Sequence, residues 1–278
     1  MTVPNKNKFY SDLLKAHKDA SLCPPPELVI RFFDDLIGVL FPEFATNRFG
    51  DKKELEEKFN ELKGEFRSIL NQNKECVKSG LEGLEDRFFD EIPEIHSRLL
   101  LDIEAMYMGD PAAKSKAEVI RTYPGFYAIA AHRIAHELVK LGVILIPRII
   151  SEHAHRQTGI DIHPGAQIGD YLCIDHGTGI VIGETTVIGS GVKIYQGVTL
   201  GGLSVKKEDA SKKRHPTIGD NVVIYAGATI LGGETEIGDN SIIGGNVWLT
   251  QSVPAGSKIY YRAKMTNTEG ETDTITFK

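Results

Sequence analysis

The sequence predicts an α+β protein in which an all-α N-terminal domain precedes a parallel β-helix with one extruded loop. Two different periods of the apolar residues support this prediction. Apolar residues recur at three- and four-residue spacing up to residue 157, as in amphipathic helices. From Ile160 they recur at every sixth position, which is the period of a hexapeptide solenoid. The predicted boundaries are 1–157 for the helical domain, 158–256 for the β-helix and 257–278 for a C-terminal tail.

Four stretches of the N-terminal half have helical spacing. Residues 51–72 alternate Leu and Phe with charged residues on the opposite face. Residues 81–112 continue this pattern, and Pro93 is expected to kink or divide that helix. Residues 124–142 and 147–159 both end at a glycine, a common helix terminator. The first fifty residues are less regular.

The second half carries the six-residue repeat. Three hexapeptides form one turn, so about 18 residues climb one rung of the solenoid. The repeated aliphatic positions are Ile162, Ile168, Ile174, Ile182, Ile188, Ile194, Leu200, Ile218, Ile224, Ile230, Ile237, Ile243 and Leu249. Residues 201–217 lack the pattern although Leu200 and Ile218 are 18 apart, which predicts a loop extruded from one turn. The flat faces of such a prism predict a trimer around a threefold axis.

The repeat is interrupted at a carboxylate and an imidazole. Ile174 and Ile182 are eight residues apart, and this slip contains Asp175 and His176. Two extra residues let these side chains leave the packed wall and point into a cleft. A positioned imidazole is a suitable general base for a hydroxyl group, and a carboxylate can hold its tautomer. Asp161 lies fifteen residues before His176, nearly one turn, so the two can occupy neighbouring corners.

Composition indicates a globular protein without a nucleic-acid or membrane footprint. The 278 residues are 41% hydrophobic and 25% charged, with a net charge of −6. No apolar run reaches membrane-spanning length, and the N-terminus has no secretory-signal pattern. The three cysteines are far apart, which disfavours a disulfide framework or a CxxC metal site. We therefore expect a cytoplasmic protein with no nucleic-acid or membrane partner.

The motifs of the second half resemble those of a known family. The stretches "DIHPGAQIG", "IDHGTGIVIGETTVIG", "GVTLGG" and "RHPTIGDNVVIYAGATILG", after a helical domain, closely resemble the serine O-acetyltransferases over about residues 100–255. The resemblance implies a left-handed β-helix that transfers the acetyl group of acetyl-CoA to L-serine in cysteine biosynthesis. It further implies a homotrimer or a dimer of trimers. Neither a metal nor a covalent acyl-enzyme is needed for this reaction.

The resemblance also assigns site residues. It implies His176 as the general base and Asp161 as its orienting partner. A zwitterionic acceptor needs carboxylates for its ammonium and a guanidinium fork for its carboxylate. The positions implied for serine binding are Asp110, Asp175, Arg214 and His215. The positions implied for acetyl-CoA binding are Gly202 and Ala226, where small residues admit the pantetheine arm.

Three alternatives stay open at the level of sequence. An acetyltransferase for a sugar or another hydroxyl or amine acceptor would not need the Asp110, Asp175 and Arg214 set. A metal-dependent hydratase could use His163, His176 and His215 as ligands between subunits. A non-enzymatic regulator of the cysteine-forming sulfhydrylase is the third. Cys173 is expected to pack rather than to attack, and His163 is expected to be a turn residue before Pro164.

The C-terminal tail departs from the family. Many members end in Ile, which enters the sulfhydrylase active site, whereas this chain ends in Phe277-Lys278. A terminal lysine would carry a charge into a pocket shaped for an aliphatic side chain, at a desolvation cost. We therefore expect no stable cysteine synthase complex through these residues. The tail is poor in apolar residues and is expected to be mobile or strand-like.

Overall fold

The computed structural model describes residues 5–19, 23–46, 48–72, 80, 82–203, 212–266 and 272–276. Within this part of the chain, the helices all precede the strands. The helices are α1 (Lys6–Asp19), α2 (Pro26–Leu40), α3 (Lys52–Asn71), α4 (Leu84–Gly109), α5 (Lys116–Thr122), α6 (Pro124–Lys140) and α7 (Leu145–Thr158). None of these described helices is both long and apolar enough to cross a membrane.

Local signals explain where several helices begin and end. Asp51 caps α3 by accepting a hydrogen bond from the Glu54 N–H at 2.9 Å. Gly159 ends α7 with a φ of 70°, which glycine adopts without steric cost. Of the two outcomes expected at Pro93, a kink or a division, the division does not occur, because α4 runs through this proline. Proline removes one helical hydrogen bond, and a face of nine buried residues outweighs that loss.

Two helices of the first fifty residues, α1 and α2, have no counterpart in the sequence predictions. α2 starts within the proline run, and a proline at the start of a helix loses only a hydrogen bond that would be absent there anyway. Its apolar face is buried in the helical core, where the rings of Phe32 and Phe66 stack with centroids 5.0 Å apart. The burial of this face stabilises α2 although its flanking sequence looks irregular.

The β-helix has three faces of parallel strands. Face 1 contains β1 (Asp161–Ile162), β4 (Val181–Ile182), β7 (Thr199–Gly201), β10 (Thr229–Leu231) and β13 (Trp248–Leu249). Face 2 contains β2 (Gln167–Ile168), β5 (Val187–Ile188), β8 (Thr217–Ile218) and β11 (Glu236–Ile237). Face 3 contains β3 (Cys173–Asp175), β6 (Lys193–Tyr195), β9 (Val223–Ile224), β12 (Ile242–Ile243) and β14 (Lys258–Ile259). Below, edge 3/1 is the corner where the chain passes from face 3 to face 1, and edge 1/2 is the corner between faces 1 and 2.

The six-residue repeat sets the register of the strands. On face 1, Ile182 pairs with Ile162 on one side and with Leu200 on the other, and all three are buried. The predicted loop leaves at edge 1/2, between β7 and β8, and its residues 204–211 lie outside the described residues. β8 pairs in register with β5, so the solenoid resumes beyond the loop as predicted.

The end of the β-helix differs from the prediction. Lys258–Ile259 pairs in parallel with Ile242–Ile243, so the solenoid continues past the predicted boundary at residue 256. A parallel strand needs only a neighbouring strand on the adjacent rung to pair with. β14 can therefore pair with β12 although Ile259 no longer follows the six-residue repeat. The strands β15 (Arg262–Thr266) and β16 (Thr272–Thr276) then form an antiparallel pair, in line with the strand-like tail expected. Phe277 and Lys278 lie outside the described residues.

A buried ion pair joins the helical domain to the first turn of the β-helix. Arg133 on α6 donates to both carboxylate oxygens of Asp102 on α4, at 2.5 and 2.8 Å. Asp102 Oδ1 also accepts from the Leu172 N–H at 2.9 Å, and Arg133 donates to the Gly169 carbonyl at 2.8 Å. These bonds fix the turn that leads to Asp175 and His176.

Candidate active site

The interruption of the repeat lies at edge 3/1 of the first turn. Five residues, 176–180, connect β3 to β4, whereas three residues, 196–198, connect β6 to β7. The two extra residues of the sequence pattern are therefore an enlarged corner. His176 has a φ of 57°, in the left-handed region that residues other than glycine rarely adopt, and its side chain is 73% exposed. The imidazole projects away from the prism wall.

Asp175 and Lys193 lie beside this imidazole. His176 Nε2 is 3.7 Å from Asp175 Oδ1, and Lys193 Nζ is 3.0 Å from Asp175 Oδ2. Lys193 Nζ also donates to the Gly109 carbonyl at 2.7 Å and lies 4.5 Å from the centre of the Tyr195 ring. Burial lowers the pKa of Lys193, but hydrogen bonds to Tyr195 and Asp175 outweigh burial and raise that pKa above its usual range. The lysine is therefore a fixed cation that holds Asp175 against the end of α4.

Asp110 completes this group of residues from the helical domain. It follows α4 directly, and its Oδ2 accepts a hydrogen bond of 2.5 Å from the Tyr123 hydroxyl. That bond lowers the pKa of Asp110 and raises the pKa of Tyr123 to about 12. The nearby charges of Lys193 and His176 lower the pKa of Asp110 further. The structure thus brings Asp110, Asp175 and His176 together, and these three with Tyr123 and Lys193 form the His176 cluster.

A second group of polar residues lies at edge 1/2. The Thr185 hydroxyl accepts from the Arg214 N–H at 2.9 Å and from the His215 N–H at 3.1 Å. The Arg214 guanidinium donates to the Glu184 carboxylate. His163 is close enough for its charge to affect the pKa values of both Glu184 and His215. These five residues form the Arg214 cluster.

His215 is a neutral imidazole with a defined tautomer. Burial, and next the charge of Arg214, lowers its pKa to about 4. Its Nδ1 accepts a hydrogen bond from the Thr185 N–H at 3.1 Å, so the ring proton belongs on Nε2. The ring lies directly against Gly183, where a Cβ atom would come within 2.1 Å of Nε2. His215 can therefore donate a hydrogen bond from Nε2 at neutral pH, but it is a weak base.

The predicted site residues are divided between the two edges in a single chain. Asp110, Asp175 and His176 are at edge 3/1, whereas Arg214 and His215 are at edge 1/2. Face 1 separates them by about five residues of extended chain, on the order of 15 Å. The two predicted acetyl-CoA positions are divided in the same way. Gly202 lies beside Arg214 and His215, and Ala226 lies at edge 3/1 of the third turn.

Asp161 begins face 1, one rung below the strand that follows His176. Its charge raises the pKa of His163, whose pKa is lowered overall, first by burial. Between Asp161 and His176, both of which the structure describes, there is no hydrogen bond or ion pair. The pairing of these two residues as a catalytic dyad stays a prediction.

Four contributors to the two clusters were not singled out from the sequence. Glu184 and Thr185 follow the Gly183 of a motif noted for the histidine, so their position after that glycine is a usable signal. Lys193 precedes the buried Ile194, so the repeat predicts only that its side chain faces outward and not that it contacts Asp175. Tyr123 precedes a helix and gives no sequence signal of its contact with Asp110.

Two other predictions concern Cys173 and the histidines. Cys173 is buried against Gly109, and burial raises the pKa of its thiol to about 11, so it packs as expected and is a poor nucleophile. His163 accepts from the Gly165 N–H at 3.0 Å in the predicted turn. His163 and His215 are at edge 1/2 and His176 is at edge 3/1. Among the residues with described positions, no group of three or more His, Cys, Asp or Glu side chains could hold a metal ion.

Comparisons with known proteins place the chain in a family, although no family model matches it. The plasmid serine acetyltransferase of Synechococcus elongatus is 55% identical over 181 residues, which span 63% of this chain and 56% of that protein. A serine acetyltransferase of Staphylococcus epidermidis is 52% identical over 158 residues, which span 57% of this chain and 72% of that protein. The chain belongs to the serine acetyltransferase family. Members of this family are acyltransferases.

The fold of this serine acetyltransferase family member agrees with a solved structure. Serine acetyltransferase 1 of Entamoeba histolytica, in complex with L-cysteine, matches with a TM-score of 0.73 and 34% identity. The match covers 82% of this chain and 86% of the Entamoeba chain. The predicted fold, an all-α N-terminal domain followed by a left-handed parallel β-helix, is confirmed.

Proposed function

We propose that the chain transfers the acetyl group of acetyl-CoA to the hydroxyl of L-serine, giving O-acetylserine and CoA. Membership of the serine acetyltransferase family supports this proposal. The observation that carries it is the exposed His176, held at an enlarged corner beside the carboxylates of Asp175 and Asp110. Such an imidazole is open to a small acceptor and placed to take its proton.

His176 rather than His215 is the general base. Proton transfer leaves an imidazolium, and the carboxylates of Asp175 and Asp110 stabilise a positive charge on His176. The positive charges of Arg214 and Lys213 destabilise one on His215, whose pKa of about 4 makes it a weak base. The neutral His215 donates from Nε2 instead, and Asp161 is the proposed orienting partner of His176.

The proposed reaction is a direct transfer. The serine hydroxyl gives its proton to His176 as its oxygen attacks the thioester carbonyl of acetyl-CoA. The tetrahedral intermediate collapses and the carbon–sulfur bond breaks. His176 returns the proton to the departing thiolate, so that protons and electrons balance without a further reactant.

Charge in the His176 cluster favours an amino acid as the acceptor. Asp110 and Asp175 carry two negative charges and Lys193 carries one positive charge, which leaves one net negative charge. One ammonium group balances that charge. A sugar acceptor has no cation to offer, so this balance favours serine over the sugar alternative.

We also propose that each complete site is shared between neighbouring subunits of a homotrimer, alone or paired as a dimer of trimers. Edge 3/1 of one subunit would supply His176, and edge 1/2 of its neighbour would supply Arg214 for the serine carboxylate. The separation of the two clusters in one chain supports this arrangement. Val181 and Trp248 expose apolar side chains on the outer surface of face 1, which supports burial of that face.

Acetyl-CoA would lie in the same shared groove. Gly202 at edge 1/2 and Ala226 at edge 3/1 would then line opposite walls of the groove that holds the pantetheine arm. Each residue leaves the backbone accessible because it has little or no side chain.

Subunit mixing tests the shared site. His176→Ala and Arg214→Ala chains are denatured together in equal amounts and renatured. Random trimers would contain about a quarter of intact sites, so at a serine concentration far below the raised KM of Arg214→Ala sites the mixture should recover about a quarter of the wild-type rate. His176→Ala mixed with Asp175→Ala is the matched control, because both substitutions are at the same edge and no intact site can form. Equal activity in the two mixtures would show that the site is not shared.

The acceptor is tested separately by thiol release from acetyl-CoA. The panel contains serine, homoserine, threonine and simple sugars. Serine is expected to give the highest kcat/KM. A preference for any other acceptor would overturn the proposed reaction while leaving the acyltransferase family membership intact.

A further inference from the structure

The proposed reaction makes two opposite demands on His176, and this inference rests on that function. The imidazole must lack a proton before the acceptor gives one up, and it must hold that proton while the thioester is attacked. The carboxylates of Asp175 and Asp110 meet only the second demand, because both attract a positive charge on the ring. A fixed cation beside these carboxylates would meet the first demand.

Lys193 is held on three sides beside the same carboxylates. Its Nζ donates to the Gly109 carbonyl at 2.7 Å, lies 3.0 Å from Asp175 Oδ2 and lies 4.5 Å from the centre of the Tyr195 ring. Gly109 permits this close packing, because a Cβ atom there would lie 2.8 Å from Cys173 Sγ and 3.9 Å from Lys193 Nζ. The Lys193 side chain is 17% exposed, so salt and water screen these contacts weakly.

Lys193 and His176 compete for one carboxylate. Asp175 Oδ2 contacts the lysine at 3.0 Å, whereas Asp175 Oδ1 is 3.7 Å from His176 Nε2, which is longer than a hydrogen bond. Without the lysine, rotation of the Asp175 side chain can bring an oxygen onto Nε2. The carboxylate would then occupy the position that an acceptor hydroxyl needs, and it would hold a proton on the ring.

The other titratable groups at this corner lie on separate elements. Asp110 follows α4, Tyr123 precedes α6 and Asp161 begins face 1. The Tyr123 hydroxyl already holds Asp110 by a hydrogen bond. Among the described side chains, only Asp175 is within ion-pair distance of the His176 imidazole. The position of this one carboxylate therefore decides how strongly the ring is paired before the acceptor binds.

We propose that Lys193 is a positioning residue, which draws Asp175 toward the end of α4 and keeps its carboxylate off Nε2 of His176. The nitrogen is thereby left open and proton-free for the acceptor hydroxyl. Asp175 stays beside the end of α4, next to Asp110, where both carboxylates can receive the acceptor ammonium. This role differs from a structural one because it acts on the protonation of His176 through a single carboxylate.

Titration of His176 by NMR measures this effect without any acceptor. Protein labelled with carbon-13 at histidine Cε1 is titrated, and His176→Ala identifies the resonance of His176. Lys193→Met should raise the titration midpoint of this resonance by about one pH unit, or about tenfold in proton affinity, because the freed carboxylate can pair with the imidazolium. Lys258→Met is the matched control, since Lys258 is exposed and lies in the same column three rungs farther along face 3.

A double-variant cycle separates positioning from simple repulsion between two positive charges. Removing the lysine charge would raise the midpoint slightly even if Asp175 did not move. In an Asp175→Asn background, Lys193→Met should therefore raise the midpoint by much less than in the wild-type background. An equal rise in both backgrounds, or no rise in the wild-type background, would overturn the positioning role.

Chemical rescue shows whether the loss of the ammonium, rather than misfolding, causes the change. Lys193→Cys alkylated with 2-bromoethylamine carries an ammonium on a side chain of nearly the length of lysine. This treatment should return the midpoint to the wild-type value, and wild-type protein treated in the same way is the control for the other cysteines. A raised midpoint that alkylation does not lower would contradict the proposal.

The thiol-release assay connects this effect to the proposed reaction. Lys193→Met should lower kcat/KM for serine about tenfold on the acid limb of the pH profile and leave the alkaline plateau nearly unchanged. If the wild type fails to acetylate serine but the midpoint rises only when Asp175 is present, the acceptor is wrong and the role of Lys193 stands. If serine is acetylated but the midpoint does not rise, the reaction stands and the role of Lys193 is overturned.

Discussion

The Arg133–Asp102 ion pair should be the most sensitive point of the junction between the helical domain and the β-helix. We consider Arg133→Met, which keeps the apolar stem and removes the guanidinium. The side chains of Arg133 and Asp102 are 3% and 0% exposed, so water does not screen the pair. The substitution removes both hydrogen bonds from the guanidinium to Asp102, and the bond from the Leu172 N–H to Asp102 is kept. A buried carboxylate then lacks its hydrogen-bonded counter-charge, and only the more distant charge of Arg98 still acts on it.

The expected loss follows from that geometry. Removing one partner of a buried, hydrogen-bonded pair costs about 3–5 kcal/mol, because the other charge stays desolvated. Single-domain stabilities are about 5–15 kcal/mol, so the loss is a large fraction of the total. Replacing both partners, as in Asp102→Leu with Arg133→Met, removes the uncompensated charge. The double variant should therefore be no less stable than Arg133→Met alone.

Urea unfolding, followed by helical circular dichroism, measures this loss in the free energy of unfolding. Lys140→Met, on the same helix but exposed, is the matched control and should change that free energy by less than about 0.5 kcal/mol. A loss below about 1 kcal/mol for Arg133→Met, or losses that simply add in the double variant, would refute the reasoning.

Four further predictions concern the site. His176→Ala should lower kcat by about two to four orders of magnitude in the thiol-release assay, and a variant that keeps a tenth of wild-type turnover would exclude His176 as the base. Asp161→Asn should lower kcat less, and a double variant no slower than His176→Ala would show that the two residues act as a unit. Arg214→Ala should raise KM for serine far more than KM for acetyl-CoA, and equal effects would assign Arg214 to the donor groove. His215 has a pKa of about 4 in the folded protein, against 6.5 for an ordinary histidine. Between these two pH values the unfolded chain binds a proton at His215 and the folded protein does not, so the free energy of unfolding decreases as pH falls from 6.5 to about 4. His215→Asn should reduce that slope by up to about 1.4 kcal/mol per pH unit in urea unfolding, and an unchanged slope would contradict the burial argument.

Sequence alone determined the features that depend on local spacing. A residue at every sixth position faces the interior of the prism wherever the period holds, so the buried column of Ile162, Ile182 and Leu200 was predictable. The slip before Ile182 predicted the enlarged corner, because two extra residues must leave the wall where the period breaks. The exposed His176 follows directly from that local insertion.

Tertiary structure alone decided which distant residues meet. Lys193 reaches Asp175 and the Gly109 carbonyl only because β6 lies on β3 and α4 ends beside that rung. The Thr185 hydroxyl anchors Arg214 and His215 because the loop returns to the corner it left. The contributions of these residues depend on contacts between segments 18 to 84 positions apart, which no single stretch encodes.

The same reason explains the separation of the predicted site residues. Asp110, Asp175 and Arg214 were assigned to one site because a zwitterionic acceptor needs both carboxylates and a guanidinium. Residue type alone does not say at which edge of the prism each side chain lies. The three-sided prism then placed the two carboxylates at one edge and the guanidinium at another. A hexapeptide repeat determines which side chains face in or out, whereas the number of residues at each corner, accumulated along the chain, determines which edge they occupy.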